Sequence, residues 1–228
     1  MAGPAERKRT RGVDARHDAR RAEIVDALLR IIRERGLDGV SVRDIADEAG
    51  VSVGRVQHYF PTKFEVLEAA FQQVNDWGGE LVRRRLDAAG DFGPRAVLRA
   101  VATALLPVDD QHRGALQVGV AFLARALVHD ETAARLRSGY GEMHELFVVL
   151  LTRARDAGDA APDLDPGQET TLLLALLDGL GTLTLVGHHS VDIALSAVDT
   201  HLDRVFLPSR RADTPAGPGH TPGDECET

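Results

Sequence analysis

The sequence predicts an all-α protein with a small N-terminal helical unit and a larger helical body, about nine helices in all. Three observations carry this. Aromatic residues make up only 4% of the 228 residues while the hydrophobic fraction is 43%, drawn mostly from Leu, Ala and Val, a composition that suits helices better than strands. Apolar residues recur at steps of three and four along most of the chain. Capping residues, proline starts and glycine stops cut that pattern into helix-sized lengths. The chain has room for two unequal units, since domains usually hold roughly 100 to 150 residues.

Residues 1–18 carry Arg7, Lys8, Arg9, Arg11 and Arg16 among small and polar residues. They read as a disordered basic arm, suited either to following DNA or to solubility alone. From about Arg20, the residues Ile24, Ala27, Leu28, Ile31 and Ile32 mark a first amphipathic helix that ends at Gly36. Ser41 and Asp44 form an acidic capping box for a second helix, with Ile45, Ala46 and Ala49 inward and Gly50 as its stop. Ser52 caps a third helix that must end near Pro61. Thr62 and Glu65 form a capping box for a long fourth helix with Phe64, Leu67, Phe71, Val74 and Trp77 along its stripe.

Breaks at 90–94, 107–110, 129–130, 158–166 and 187–190 then divide residues 91–207 into five further helical segments. Asp165, Pro166 and Gln168 make a strong start signal for one of them. Residues 208–228 lack apolar content and are rich in Pro and Gly, so a disordered tail is expected. The resulting division is an arm at 1–18, a helix-turn-helix unit at 19–66, a helical body at 67–207 and a tail at 208–228.

Several function classes are disfavoured at this level. The longest apolar stretch, Leu172 to Val186, is interrupted by Asp178, so it reads as a buried helix and not as a membrane span. The N-terminus has charge where a secretory signal needs an apolar segment, so a cytoplasmic protein is expected. The single cysteine, Cys226, lies in the tail and permits neither an intrachain disulfide nor a cysteine metal site. His188 and His189 are adjacent in a turn and lack a third ligand. Asp163 and Asp165 faintly suggest a calcium loop, but Leu174 stands where the bidentate Glu belongs. No catalytic motif is present, so neither an enzyme nor a cofactor is expected.

The net charge of −8 hides an asymmetry: residues 1–63 hold 13 Lys/Arg against 10 Asp/Glu, a net +3, and the remainder holds 14 against 25, a net −11. A mildly basic head on an acidic body suits a protein that touches nucleic acid with one end. Two short helices around a tight glycine turn, braced by a first helix, form the unit that inserts a helix into the major groove. Val56 and Phe60 can pin the third helix inward while Arg55, Gln57, His58 and Tyr59 face out.

The stretch from Val42 to Leu67, VRDIADEAGVSVGRVQHYFPTKFEVL, resembles the DNA-binding signature of the TetR family of bacterial regulators. The resemblance implies that Ser41 and Arg43 meet phosphates. It places Ser52, Val53 and Arg55 near base edges and has Tyr59 and Lys63 gripping the backbone, with Gly54 and His58 also among the DNA-binding candidates. Gln57 replaces the aromatic residue usual in this motif and suits either a phosphate or an adenine edge. Arg55 suits guanine O6 and N7, a phosphate, or a surface salt bridge.

Residues 91–207 resemble, more loosely, the C-terminal domain of the BetI-type subgroup, through LLPVDD from Leu105, FLARALVHDETAARLRSGY from Phe122 and LLALLDGLGTL from Leu173. The implied protein is a ligand-responsive regulator, usually a repressor, which binds a palindromic double-stranded operator as a homodimer and is released by a small-molecule effector. Its last two helices would pair with their mates through Leu172, Leu176, Leu180 and Leu183 and through Ile193, Ala197 and Leu202, though the same pattern also fits intrachain core. Trp77, Phe122, Met143 and Phe147 are candidate pocket walls or plain core. Asp178 is a carboxylate in an apolar helix, there to bind a cationic ligand or to satisfy a neighbouring helix. The alternatives are a ligand-independent architectural DNA-binding protein and, last, a helical enzyme.

Overall fold

The computed structural model describes residues 4–37 and 39–207, with side chains from His17 onward. The expected tail at 208–228, Cys226 included, lies outside the described residues. Nine helices make up the described chain: α1 (Pro4–Arg35), α2 (Val42–Glu48), α3 (Val53–Tyr59), α4 (Lys63–Ala89), α5 (Pro94–Leu105), α6 (Asp110–Ala126), α7 (Asp130–Ala157), α8 (Pro166–Leu185) and α9 (Val191–Val205). The five breaks read from the sequence each fall between consecutive body helices.

The first boundary differs from expectation. Residues 4–18, expected as a disordered arm, continue α1 upstream as helical backbone. The cause is propensity: Ala, Arg, Lys and Glu dominate this stretch, and beyond the lone Gly12 nothing in it stops a helix.

Two apolar clusters organise the molecule. The first joins Ile24, Leu28 and Ile32 of α1 to Ile45 of α2, Val56 and Phe60 beside α3, and Val66 and Ala70 of α4. The second joins Leu98 of α5, Phe147 and Leu151 of α7, Leu173 and Leu177 of α8, and Val198 and Leu202 of α9. Helix α4 has 27 residues and spans about 40 Å, so it runs as a strut from the head into the body.

The seam between head and body is built by α6. Val118 of α6 is fully buried in the head cluster, and Phe122 one turn on stacks on Phe71 of α4 with ring centroids 4.2 Å apart. Phe64 lies 6.0 Å from Phe122 on the same stack, and the guanidinium of Arg125 sits 3.8 Å over the Phe64 ring. At the other end of α6, a Cβ on Gly114 would lie 2.6 Å from Cγ of Arg33 in α1. Glycine is therefore what lets α6 approach α1 this closely.

At the far end of the body, Ala160 and Phe206 form an isolated antiparallel bridge, and the Leu207 N–H donates to the Asp159 carbonyl at 2.8 Å. This ties the chain beyond α9 to the α7–α8 loop.

Phe122 is 2% exposed. Replacing it with Ala should cost about 3 to 5 kcal/mol, read as a lower urea midpoint for the whole chain. A decrease below about 1 kcal/mol would show that the seam repacks.

Candidate nucleic-acid interface

The head is assembled around backbone groups that need partners. The Ser41 hydroxyl accepts from the Asp44 N–H at 3.2 Å, while the Asp44 carboxylate accepts from the Ser41 N–H at 2.8 Å and from the Ser41 hydroxyl at 2.5 Å. This closed capping box starts α2. The Asp44 carboxyl is held well below the usual carboxylate range, first by the Ser41 hydroxyl, then by the Ser41 N–H and by Arg35. Gly50 then takes a φ of +65°, a left-handed turn that glycine adopts without strain, and the Val51 N–H closes it on the Ala46 carbonyl at 2.9 Å.

Helix α3 follows at once. Ser52 caps it by accepting from the Arg55 N–H at 3.2 Å. Val56 and Phe60 are buried in the head cluster, which turns the opposite face outward: Ser52, Gly54, Arg55, Gln57 and His58 are exposed, and Val53 and Tyr59 are half-buried at its margins. Ser41 and Arg43 are exposed at the start of α2, and Lys63 is half-buried at the start of α4. Every residue expected to face DNA thus lies at least partly open, on the α2–α3 unit or at the head of α4. The Ser41 hydroxyl, however, is engaged on both sides by Asp44, so its side chain serves the fold.

Cations in the head divide into two sets. Arg30 and Arg35 are taken up by Glu48 at 2.6 Å and Asp44 at 2.9 Å, which fasten α1 to α2. Among the described residues no carboxylate pairs with Arg43, Arg55 or Lys63, so these cations remain open to an anionic partner. Sequence reading missed Arg21 and His17. The Arg21 guanidinium donates to the Tyr59 carbonyl at 3.0 Å and lies 4.3 Å over the Phe60 ring, while the His17 ring centroid is 4.9 Å from that of Tyr59. Helical period shows that these positions are polar, not which helix they lean on.

The expected pocket walls are not brought together. Trp77 lines a cavity of about 110 Å³ between α1, α4 and α6, with Leu29, Arg33, Gln73 and Gln111 among its other walls. Phe122 belongs to the seam, Phe147 is fully buried in the body core and Met143 packs against that core. Asp178 is exposed on α8 and accepts from the Tyr140 hydroxyl at 2.9 and 3.1 Å. Burial, then the neighbouring carboxylate, pushes the Tyr140 hydroxyl up to about 12, and loss of water around its carboxyl raises Asp178, although the residue as a whole is open to solvent. The physical reason for the scatter is that these five residues come from four helices, α4, α6, α7 and α8, whose mutual placement cannot be read from spacing along any one of them.

The expected pairing surface is corrected in the same way. Leu180 and Leu202 are buried in the body core and cannot meet a second chain. Leu172, Leu183 and Ile193 are exposed at 60%, 40% and 55%, and Leu176 and Ala197 are half-buried. Helix α8 is apolar nearly all round, so no single stripe could be read from it. Between α8 and α9 runs an open groove of about 570 Å³, lined by Leu176, Ile193, Ala197, His201 and Arg204 among others.

Comparison with known proteins agrees with this geometry. The profile described as bacterial regulatory proteins of the tetR family matches residues 24–70, and the profile of the BetI-type transcriptional repressor C-terminal domain matches residues 94–207. The chain belongs to the TetR family. It is 33% identical over 199 residues to the HTH-type transcriptional regulator BetI of Burkholderia mallei, covering 84% of this chain and 95% of that protein. A transcriptional regulator from Rhodococcus sp. Rha1 shares the structure at a TM-score of 0.68 and 28% identity, over 81% of this chain and 95% of its own. A regulator from Saccharomonospora viridis, solved in complex with choline, shares the fold at a TM-score of 0.73 and 21% identity, over 82% and 98%.

As a TetR-family member the chain is a DNA-binding transcriptional regulator and not an enzyme. No described helix is long and apolar enough to cross a membrane. Among the described residues no group of three or more His, Cys, Asp or Glu is placed to hold a metal.

Removal of the α2 cap in Ser41→Ala should lower stability by about 0.5 to 2 kcal/mol. Asp44→Ala should destabilise with a defined pH dependence. Because folding lowers the Asp44 pKa, its contribution is complete above the ordinary Asp range near about pH 4 and is lost as pH falls through the folded value. Urea midpoints of parent and Asp44→Ala should therefore differ at pH 7 and converge on acidification; a gap that is constant with pH would assign the effect to packing.

Proposed function

We propose that the chain is a ligand-responsive repressor that binds a palindromic operator as a homodimer, with α3 in the major groove. The observation that carries this reading is the outer face of α3. It is polar, its cation meets no carboxylate among the described residues, and it is held by a cap on one end and two buried side chains on the other. A Cβ on Gly54 would meet nothing within 4 Å, so the fold itself has no need of glycine there, whereas close approach of a base pair does. Arg55 is the candidate for base reading, Arg43, Tyr59 and Lys63 for phosphates, and Gln57 and His58 for contacts at the edge of the groove.

Two-fold operators require two heads about 34 to 36 Å apart, and the body supplies a surface to set that distance. Leu172, Leu183 and Ile193 line the outer faces of α8 and α9 beside the open groove. Covering them with a second copy yields a four-helix bundle and removes the exposed apolar area.

For the effector, the cavity beside Trp77 is favoured because its walls come from the head's α1 as well as from α4 and α6. Its 110 Å³ is below the roughly 300 Å³ of ordinary ligand sites. A ligand must therefore part these helices to enter, and parting them tilts the head. Operator and effector then oppose one another by equal coupling energies. Choline, bound by the Saccharomonospora viridis regulator, is the first compound to titrate. Asp178, already bonded by Tyr140, is assigned to holding α7 on α8.

Selection of duplexes from a random library by the full chain should return a palindrome bound at least about 10³-fold over random sequence. Arg55→Ala should relax the preference at one base pair in each half-site, worth about 1 to 3 kcal/mol; uniform weakening on every duplex would make Arg55 a phosphate contact. Ile193→Lys should give a monomer by sedimentation and lose tight operator binding with its fold intact. A dimer that persists in Ile193→Lys would place the pairing surface elsewhere.

A further inference from the structure

We propose that the N-terminal extension of α1 is a second DNA-binding element, which lays Arg7, Lys8, Arg9, Arg11 and Arg16 along the phosphates and minor groove flanking each half-site. The inference rests on the reading of α3 as the major-groove helix.

The direction of α1 is the first argument. Its C-terminal end abuts the body, where the Arg33 stem faces Gly114 of α6. Its N-terminal end reaches the recognition helix, where His17 lies against the Tyr59 ring and Arg21 bonds the Tyr59 carbonyl. The helix therefore points from body to DNA side, and anything upstream of His17 continues past the face that α3 presents. At about 1.5 Å per residue, the positions from His17 back to Arg7 extend about 15 Å beyond Tyr59. That is close to half of a roughly 34 Å turn of duplex, enough to reach the groove next to the one α3 occupies.

Core packing gives no reason for the extension. Among the described side chains of α1 the first buried one is Ile24, and from His17 to Glu23 they are exposed apart from the half-buried Arg21 and its tie to α3.

Charge supplies the independent argument. Residues 1–16 hold five Lys/Arg against two acids, a net +3, while residues 17–63 hold eight Lys/Arg against eight acids. The whole positive excess of the head is thus in the extension. Without it, a neutral head on a remainder, residues 64–228, of net −11 would have to approach a polyanion, and long-range attraction would be absent. Closely spaced arginines are also the side chains that a narrow minor groove attracts.

The test compares the full chain with a variant carrying Arg7→Gln, Lys8→Gln, Arg9→Gln and Arg11→Gln, substitutions that preserve helix propensity. The probe is the duplex enriched by the full chain from a random library, beside a scrambled duplex of equal length. Affinity is measured from about 0.05 to 0.2 M salt, with hydroxyl-radical footprints at one salt. The variant should keep the parent's melting temperature and bind the operator about tenfold or more weaker. Its log–log salt slope should be shallower by about 0.9 for each phosphate that is no longer neutralised, and its footprint should be trimmed at the outer edges. Equal slope, affinity and footprint would overturn the proposal and leave the extension a solubilising segment. If neither protein prefers any duplex, the reading of α3 fails and the role of the extension fails with it.

Discussion

Everything the head can do depends on immobilising a helix of seven residues. Such a helix is far below the length at which an isolated one persists in water, so α3 owes its existence to its neighbours. Ser52 satisfies an N–H at its start, the left-handed Gly50 aims it, and Val56 and Phe60 fasten it to α1 and α4. Each of these anchors occupies the inner face or the ends. The outer face is consequently left with no structural duty, which is why its residues are free to be chosen for a partner. The same logic explains the two sets of arginines: those on α1 that meet Asp44 and Glu48 hold the scaffold, and those on the α2–α3 surface pair with no described carboxylate within it.

Head and body are joined through α6. It places Gly114 against α1 at one end and stacks Phe122 and Arg125 on α4 at the other, so head and body share one packed seam. The cavity beside Trp77 lies on that seam, with walls from α1, α4 and α6.

What could be read from the sequence divides along the same lines. The caps at Ser41, Ser52, Thr62 and Asp165 and the stops at Gly36, Gly50, Gly90 and Gly158 are local signals, because one residue's chemistry decides where a helix begins or ends. The outward set on α3 was legible too, since Val56 and Phe60 fix its phase. Tertiary partners were not legible. Leu180 could be read as pairing surface or as core because α8 has leucine on every side, and only the position of α5 and α7 decides which side is inside. Phe122 and Phe147 could be read as walls of one pocket or as core, yet Phe147 lies in the body cluster and Phe122 in the seam with α4. The extension of α1 was hidden for a different reason: charged residues at high density suggest an unstructured arm, but Arg, Lys, Glu and Ala are also good helix formers.

The bridge between Ala160 and Phe206 has a practical consequence. Helix α7 has 28 residues, about 40 Å, and Arg135 near its start pairs with Glu68 of α4 at 3.0 Å, close to the head. Its end, where Asp159 and Ala160 hold Phe206 and Leu207, is therefore at the opposite pole from the DNA-facing helices. A purification tag or fluorescent fusion joined after Leu207 would leave from that distal pole, whereas one joined before Pro4 would emerge on the side of the helix-turn-helix. Reporter designs for this regulator should carry their cargo at the C-terminus.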